Sequence, residues 1–297
     1  MRETIWLASY PKSGNTWLRL LITALSTDRL DINDMERSAL ASGRAQFDNH
    51  LLIDSGLLTH DEIDLIRPRL YEEIAAELAA GDDDPDEEVE SYGVRFAKVH
   101  DAYTQTSAGE PLLAGRRAAR GAVVIVRDPR DVAPSLANHL RSSLDRAISF
   151  MNNPEAVLAA PAASMATQLR QKLPTWSGHV ASWLDQSDIP VHLVRYEELK
   201  ANTASVLAAA LRFAGAPADP SNIVRAVALA AFENLQAQER ETGFGEWVDR
   251  SGAGRVFFRR GESGNWREEL SREQVRRIEE AHGAMMLRLG YVLSSSE

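Results

Sequence analysis

The chain has 297 residues, 44% hydrophobic and 26% charged, with seven histidines and no cysteine. That is ordinary for a soluble enzyme with a full core, and it excludes disulfides, thiolate metal sites and cysteine nucleophiles together. The net charge of −10 argues against general nucleic-acid binding, although seven acidic residues fall in Asp82-Asp-Asp-Pro-Asp-Glu-Glu-Val-Glu90 and the remainder sums to about −3; the run itself reads as a solvated loop.

Strand-like sequence begins by Ile5, which leaves no room for a signal peptide, and no apolar run reaches membrane-spanning length. A cytoplasmic protein is therefore expected. Apolar bursts predict parallel strands at Thr4–Ser9, Arg95–Val99, Ala122–Arg127 and Val191–Tyr196. Helical spacing predicts Thr16–Ala24, Leu57–Leu78 with an interruption near Pro68, and Asp131–Leu140 with Pro134 in its first turn. Leu173–Asp185 follows, with a core-facing stripe of Trp176, Val180, Trp183 and Leu184. Glu197–Ala214, Ser221–Ala231 and the charged Ser271–Leu289 complete the series. Alternating strand and helix predict an α/β fold, a single domain over residues 1–297 with a central parallel sheet flanked by helices. Two excursions, 28–92 and 139–174, leave this core and are expected to shape a substrate site. Met151–Ala166, rich in Ala, Asn and Pro, reads as a mobile loop of the kind that forms lids.

Ligands of such sheets bind beyond the carboxyl ends of the strands. The segment Ile5-Trp-Leu-Ala-Ser-Tyr-Pro-Lys-Ser-Gly-Asn-Thr-Trp17 reads as a buried strand, a phosphate loop and a helix. A Walker A loop needs its lysine directly after the second glycine, yet Asn15 stands there between Gly14 and Thr16, and Lys12 lies upstream. Backbone N–H groups at the helix N-terminus still suit an anion, but the cation approaches from another side. In Val123-Val-Ile-Val-Arg-Asp-Pro-Arg-Asp-Val-Ala-Pro-Ser135, a strand delivers Arg127 and the next helix carries Ser135, a guanidinium and hydroxyl suited to phosphate. Phe257-Phe-Arg-Arg-Gly-Glu-Ser-Gly-Asn-Trp266 is a basic, glycine-containing loop.

These three segments, in this order, resemble sulfotransferases that use 3′-phosphoadenosine 5′-phosphosulfate (PAPS), with a P-loop-like nucleotide-binding fold. The first, Lys12, Ser13, Gly14, Asn15, Thr16 and Trp17, resembles the family's 5′-phosphosulfate loop. The second and third resemble its 3′-phosphate segments, so the resemblance assigns Arg127, Ser135, Phe258, Arg259, Arg260 and Gly261 to the nucleotide. Arg260 stands for the family's lysine and Asn265 for its aspartate, the latter at the cost of a structural hydrogen bond. Trp17 and Phe232 match the aromatic pair around the adenine, and Tyr196 in Val194-Arg-Tyr-Glu-Glu-Leu199 matches a tyrosine on the adenine side. Phe96-Ala-Lys-Val-His100 resembles the family's Lys-Thr-His segment, which makes His100 the implied base, with Lys98 adding positive charge. Imidazole suits the task because its ordinary pKa of about 6.5 leaves it mostly neutral at pH 7.

The resemblance implies in-line sulfuryl transfer, without a metal, to a hydroxyl of a small-molecule, lipid or carbohydrate acceptor, with Lys12 stabilising the departing adenosine 3′,5′-bisphosphate (PAP). Asp101 next to the histidine has two readings, orienting His100 or meeting a cationic acceptor. Asp128 and Asp131 read as loop ion-pair partners of Arg127 and Arg130. No nucleic acid or membrane span is expected. A homodimer stays open, but not by the family's usual dimer motif, whose places hold Arg267, Ser271, Arg272 and Arg276. Two other readings stand beside this one: an ATP-dependent P-loop phosphotransferase and a non-catalytic nucleotide-binding module.

Overall fold

A computed structural model describes residues 3–34, 40–80, 93–159, 167–247 and 256–294. Strand β1 (Glu3–Ser9) leads into α1 (Asn15–Thr23), and α2 (Arg44–Leu51) and α3 (His60–Ala80) precede β2 (Val94–Val99). Next come β3 (Gly121–Val126), α4 (Pro129–Leu140), α5 (Leu144–Met151), β4 (Val157–Leu158), β5 (Gln171–Lys172), α6 (Trp176–Leu184) and β6 (Val191–Arg195). The remaining elements are helical: α7 (Tyr196–Ala201), α8 (Thr203–Ala214), α9 (Pro220–Leu229), α10 (Phe232–Thr242), α11 (Trp266–Glu269) and α12 (Arg272–Arg288).

The main sheet has the order β2-β1-β3-β6. β1 pairs in parallel with both neighbours, Ile5 opposite Phe96 on one side and Gly121 on the other. Both faces of β1 and β3 are buried almost throughout, as expected of a parallel strand covered on each side. The α/β class and the four principal strands expected from the apolar bursts are present, each within one residue of its expected ends. In chain terms the candidate residues follow strand ends: the phosphate loop comes after β1, His100 after β2, Arg127 after β3 and Tyr196 after β6. The acidic run 82–90 lies outside the described residues, as do 160–166 of the expected lid. The described start of that lid forms β4, paired antiparallel with β5.

The chain divides into two compact units. The first comprises residues 1–10, 39–125 and 150–193. Its core contains Ile5, Leu7, Phe96, Val123, Ile125, Trp176, Val180 and Trp183, so three members of the expected α6 stripe face inward, while Leu184 is only half-buried. The second comprises residues 11–38, 126–149 and 194–297, where α4 packs against α11 and α12 and α1 against α9.

Four helix expectations are corrected. α4 starts at Pro129 rather than Asp131, capped by Asp128, so Pro134 stands inside the helix and not in its first turn. α3 runs unbroken through Pro68; the ring forfeits one backbone bond, but Ile63, Leu70, Tyr71 and Ile74 are buried on both sides of it and hold the two halves in line. The expected helix Glu197–Ala214 is two, because Asn202 leaves helical backbone at φ −137° and ψ 52°. α6 starts at Trp176 rather than at Leu173, capped by the Thr175 hydroxyl, which accepts from the Gly178 N–H at 3.0 Å.

Candidate active site

The second unit contains every residue expected to hold the nucleotide. Its centre is Arg127. This guanidinium donates to the Glu262 carbonyl at 2.8 Å and to the Lys12 carbonyl at 3.4 Å, and it lies 4.5 Å from the centre of the Tyr196 ring. One side chain thereby ties the first phosphate segment, the end of β3 and the C-terminal basic loop together. Its Nε–H is buried with no acceptor among the described residues, a donor that an anionic oxygen would satisfy.

The phosphate loop repeats the pattern. α1 opens at Gly14 in left-handed backbone, with no side chain capping it, so its first-turn amides are directed at whatever lies beyond the N-terminus. Ser13 is fully buried and its hydroxyl has no partner among the described residues. Asn15 and Thr16 are buried beside it. Lys12, at φ 70°, holds its ammonium 3.6 Å from the centre of the Phe257 ring, a left-handed non-glycine conformation of the sort found at functional sites. Two buried orphan polar atoms and an uncapped helix fit a phosphate-bearing ligand.

Around this cradle, Trp17 is half-buried, donates its indole N–H to the Ala230 carbonyl at 3.0 Å, and meets Tyr196 edge-on at 6.0 Å. Phe232 is half-buried at the start of α10. The Lys200 ammonium stands 5.6 Å from the Trp17 ring centre and 5.5 Å from that of Phe232, over the two faces expected to receive a purine. Ser135 lies half-buried on α4. Phe258 is packed among Phe232, Phe244 and Phe257, so its ring is engaged in the core. Arg259 and Arg260 pair with Glu269 and Glu268 respectively. Gly261, at φ 63°, lies against Phe232, where a Cβ would come within 2.4 Å of the ring.

Asp131 behaves differently from expectation. It makes no side-chain ion pair among the described residues; its two oxygens accept the N–H groups of Gly264 at 2.7 Å and Trp266 at 3.0 Å. Asn265 itself caps nothing with its side chain, so Asp131 fastens the start of α11 instead. Burial pushes the Asp131 carboxyl above its usual value despite those two hydrogen bonds. Asp128 does form an ion pair, with Arg130 at 2.7 Å.

His100 and Lys98 belong to the first unit. The His100 Nδ1 lies 2.8 Å from the Ser9 carbonyl and 3.3 Å from the Ser9 hydroxyl. A carbonyl only accepts, so Nδ1 carries a proton, and in the neutral tautomer the basic nitrogen is then Nε2. The backbone carbonyl of His100 is held in turn by the Nε2–H of His179 at 3.0 Å. His179 is fully buried, and that burial drives its pKa down to about 4, so it stays neutral. Lys98 is half-buried on β2, its carbonyl accepting from the Ala41 N–H at 2.9 Å. Asp101 neither orients His100 nor faces outward. It is fully buried and paired with Arg67 of α3, at 3.2 and 2.7 Å, and also accepts the Lys172 N–H at 2.8 Å.

A family model described as "Sulfotransferase domain" matches residues 2–290. The chain belongs to the sulfotransferase family, and sulfuryl transfer is its reaction class. Luciferin sulfotransferase of Photinus pyralis is 25% identical over 285 residues, covering 93% of this chain and 70% of the relative. Cytosolic sulfotransferase 8 of Arabidopsis thaliana is 26% identical over 283 residues, covering 93% and 74%. Among solved structures, a mouse sulfotransferase complexed with PAP superposes with a TM-score of 0.56 at 18% identity, over 96% of this chain and 84% of that one. Retinol dehydratase, in a complex with retinol and PAP, gives 0.58 at 19%, over 96% and 82%. These two establish the sulfotransferase fold.

Four residues beside the expected ones carried no separable sequence signal: in the second unit Phe257 under Lys12, Lys200 near the Trp17 and Phe232 rings, and Asp131 at the start of α11; in the first unit His179 on the His100 carbonyl. Each lies 32 or more residues from one of its partners here, beyond the reach of any local pattern, Lys200 and Phe232 being the nearest pair. The loop geometry gives a direct test. At Gly14, φ is 105° and an added Cβ would fall 2.5 Å from the Tyr196 ring. Gly14→Ala is therefore expected to lower nucleotide affinity by about 5- to 150-fold, at a cost of about 1–3 kcal/mol in strain and displacement. Calorimetry showing wild-type affinity would mean that Tyr196 takes no part in holding the loop's shape.

Proposed function

We propose that this sulfotransferase moves the sulfuryl group of PAPS to a hydroxyl of a small-molecule acceptor, with His100 as general base and Lys12 stabilising the leaving group. The observation that carries the donor assignment is Arg127, which hydrogen-bonds the phosphate loop and the C-terminal basic loop while keeping a buried Nε–H without an acceptor among the described residues. ATP offers nothing at the 3′ position for such a cluster, whereas PAPS carries a phosphate there. In this reading Ser13, Gly14, Asn15, Thr16 and Lys12 hold the 5′ end, Arg127, Ser135, Arg259, Arg260 and Gly261 hold the 3′-phosphate, and Trp17, Phe232 and Tyr196 enclose the base, with Phe258 packed against Phe232. The PAP in the complexes of the mouse sulfotransferase and retinol dehydratase supports it.

The chemistry then needs no metal. His100 Nε2 takes the acceptor proton as the acceptor oxygen bonds to sulfur. The bond from sulfur to the bridging oxygen breaks, and Lys12 with the loop amides neutralises the charge that develops there. Lys98 adds positive charge near the transferred group. The products are a sulfate ester and PAP. Luciferin in the name of one relative favours a small acceptor. The family match runs across both units, so we treat residues 1–297 as one catalytic domain in which the excursions 28–92 and 139–174 shape the acceptor site. No helix of the described residues is long and apolar enough to cross a membrane, and a cytoplasmic enzyme remains our reading.

PAP is expected to raise the thermal midpoint, and ATP and ADP to do so far less. At a hundred times the dissociation constant the stabilisation should reach about 2.7 kcal/mol. Equal shifts from PAP and ATP would remove the PAPS assignment and favour the phosphotransferase.

A further inference from the structure

Arg259 and Arg260 open the C-terminal basic loop, and both are already engaged by carboxylates. Glu269 accepts from both terminal nitrogens of Arg259, at 2.8 and 2.9 Å, an end-on bidentate pair. Its side chain is 17% exposed and that of Arg259 36%. Glu268 accepts from Arg260 at 3.2 Å, and Arg260 also comes within 3.9 Å of Glu269. Both glutamates stand on the four-residue α11, whose start is fastened by Asp131 through Gly264 and Trp266. The carboxylates are thus presented from a fixed turn.

A carboxylate in a guanidinium fork occupies the geometry that a phosphate would use. We propose that Glu269, with Glu268 beside it, is an internal counter-ion that sets how tightly this loop holds the nucleotide phosphate. The inference rests on the assignment of Arg259 to the 3′-phosphate made above. Two arrangements lead to the same sign. If the phosphate displaces Glu269, the carboxylate competes for the same donors. If Glu269 stays on the two terminal nitrogens while the phosphate takes the Nε side, it still cancels the charge that attracts a dianion. In both, Glu269 weakens binding of the donor and speeds departure of PAP, and a neutral amide of the same shape relieves that opposition. A residue that merely positioned Arg259 would act in the opposite direction, its loss loosening the arginine and weakening binding.

The test is calorimetric titration of PAP into the full-length wild type and the Glu269→Gln, Glu268→Gln and Arg259→Ala variants. Glu269→Gln is expected to bind PAP about fivefold more tightly, the upper end for a part-exposed ion pair, and Glu268→Gln more tightly by a smaller factor. The gain should shrink at high salt, which screens the carboxylate in the wild type. Arg259→Ala should bind more weakly. Unchanged or weaker binding by Glu269→Gln, with Arg259→Ala weakened, overturns the inference and leaves the donor site as proposed. Indifference of Arg259→Ala overturns the assignment of that arginine, and the counter-ion role falls with it even if Glu269→Gln is tighter. Glu268 is exposed and its replacement leaves packing intact, so that variant reports the charge effect should Glu269→Gln fail to fold.

Discussion

His100→Ala is expected to lower turnover roughly a hundredfold or more, the range for a lost general base, while PAP affinity stays nearly intact. The expectation rests on the tautomer. Nδ1–H is committed to the Ser9 carbonyl at 2.8 Å, which leaves Nε2 as the basic nitrogen, and the neutral, buried His179 fixes the backbone from the other side. A histidine kept for structure alone would behave differently: its loss would lower the melting temperature and impair binding and turnover together. Single-turnover kinetics with an accepted hydroxyl compound, beside calorimetry with PAP, separate the two. A folded His100→Ala protein with wild-type transfer rates would mean that another group accepts the proton.

Asp101→Ala is expected to lower stability by about 3–5 kcal/mol, because it strands a buried guanidinium. Arg67 is wholly inaccessible, and burial on its own would lower its pKa; Asp101, with Tyr71 and Asp64, outweighs that and holds it above its ordinary value. The remaining acceptors, the Tyr71 hydroxyl and the Arg170 carbonyl, are neutral, and Asp64 is more distant at 3.7 Å. Urea unfolding measures the loss. Removing both charges, in Arg67→Met with Asp101→Leu, should recover most of it, since no uncompensated ion is left inside. A small loss in the single variant would show that water or Asp64 reaches Arg67.

The parts that were legible in the sequence are those whose physics is local. β1 and β3 are continuous apolar runs because both their faces are buried, and such runs announce a covered parallel strand without any partner being known. The phosphate loop was legible because its glycine, hydroxyl and lysine lie within five residues of one another. Asn202 and Thr175 carried ordinary helix-start signals that an apolar count alone passes over. Pro68 misled in the other direction, since the rule that proline interrupts a helix yields to burial on both sides of it. Asp101 was the least legible. Its partner Arg67 is 34 residues earlier in the chain, and from the sequence it could only be read against its neighbour His100. The pairing of Arg259 with Glu269, ten residues apart, was hidden because the basic loop drew attention to what the arginines would bind rather than to what already binds them.

The most direct measurement is a crystal structure of the protein with PAP. The 5′-phosphate is expected against Lys12 and the amides from Ser13 to Trp17, the 3′-phosphate on Arg127, Ser135 and Arg259, and the adenine between Trp17 and Phe232, with the Lys200 ammonium shifted from its present place near both rings. A nucleotide bound with its 3′-phosphate away from Arg127, or bound elsewhere on the chain, would contradict it.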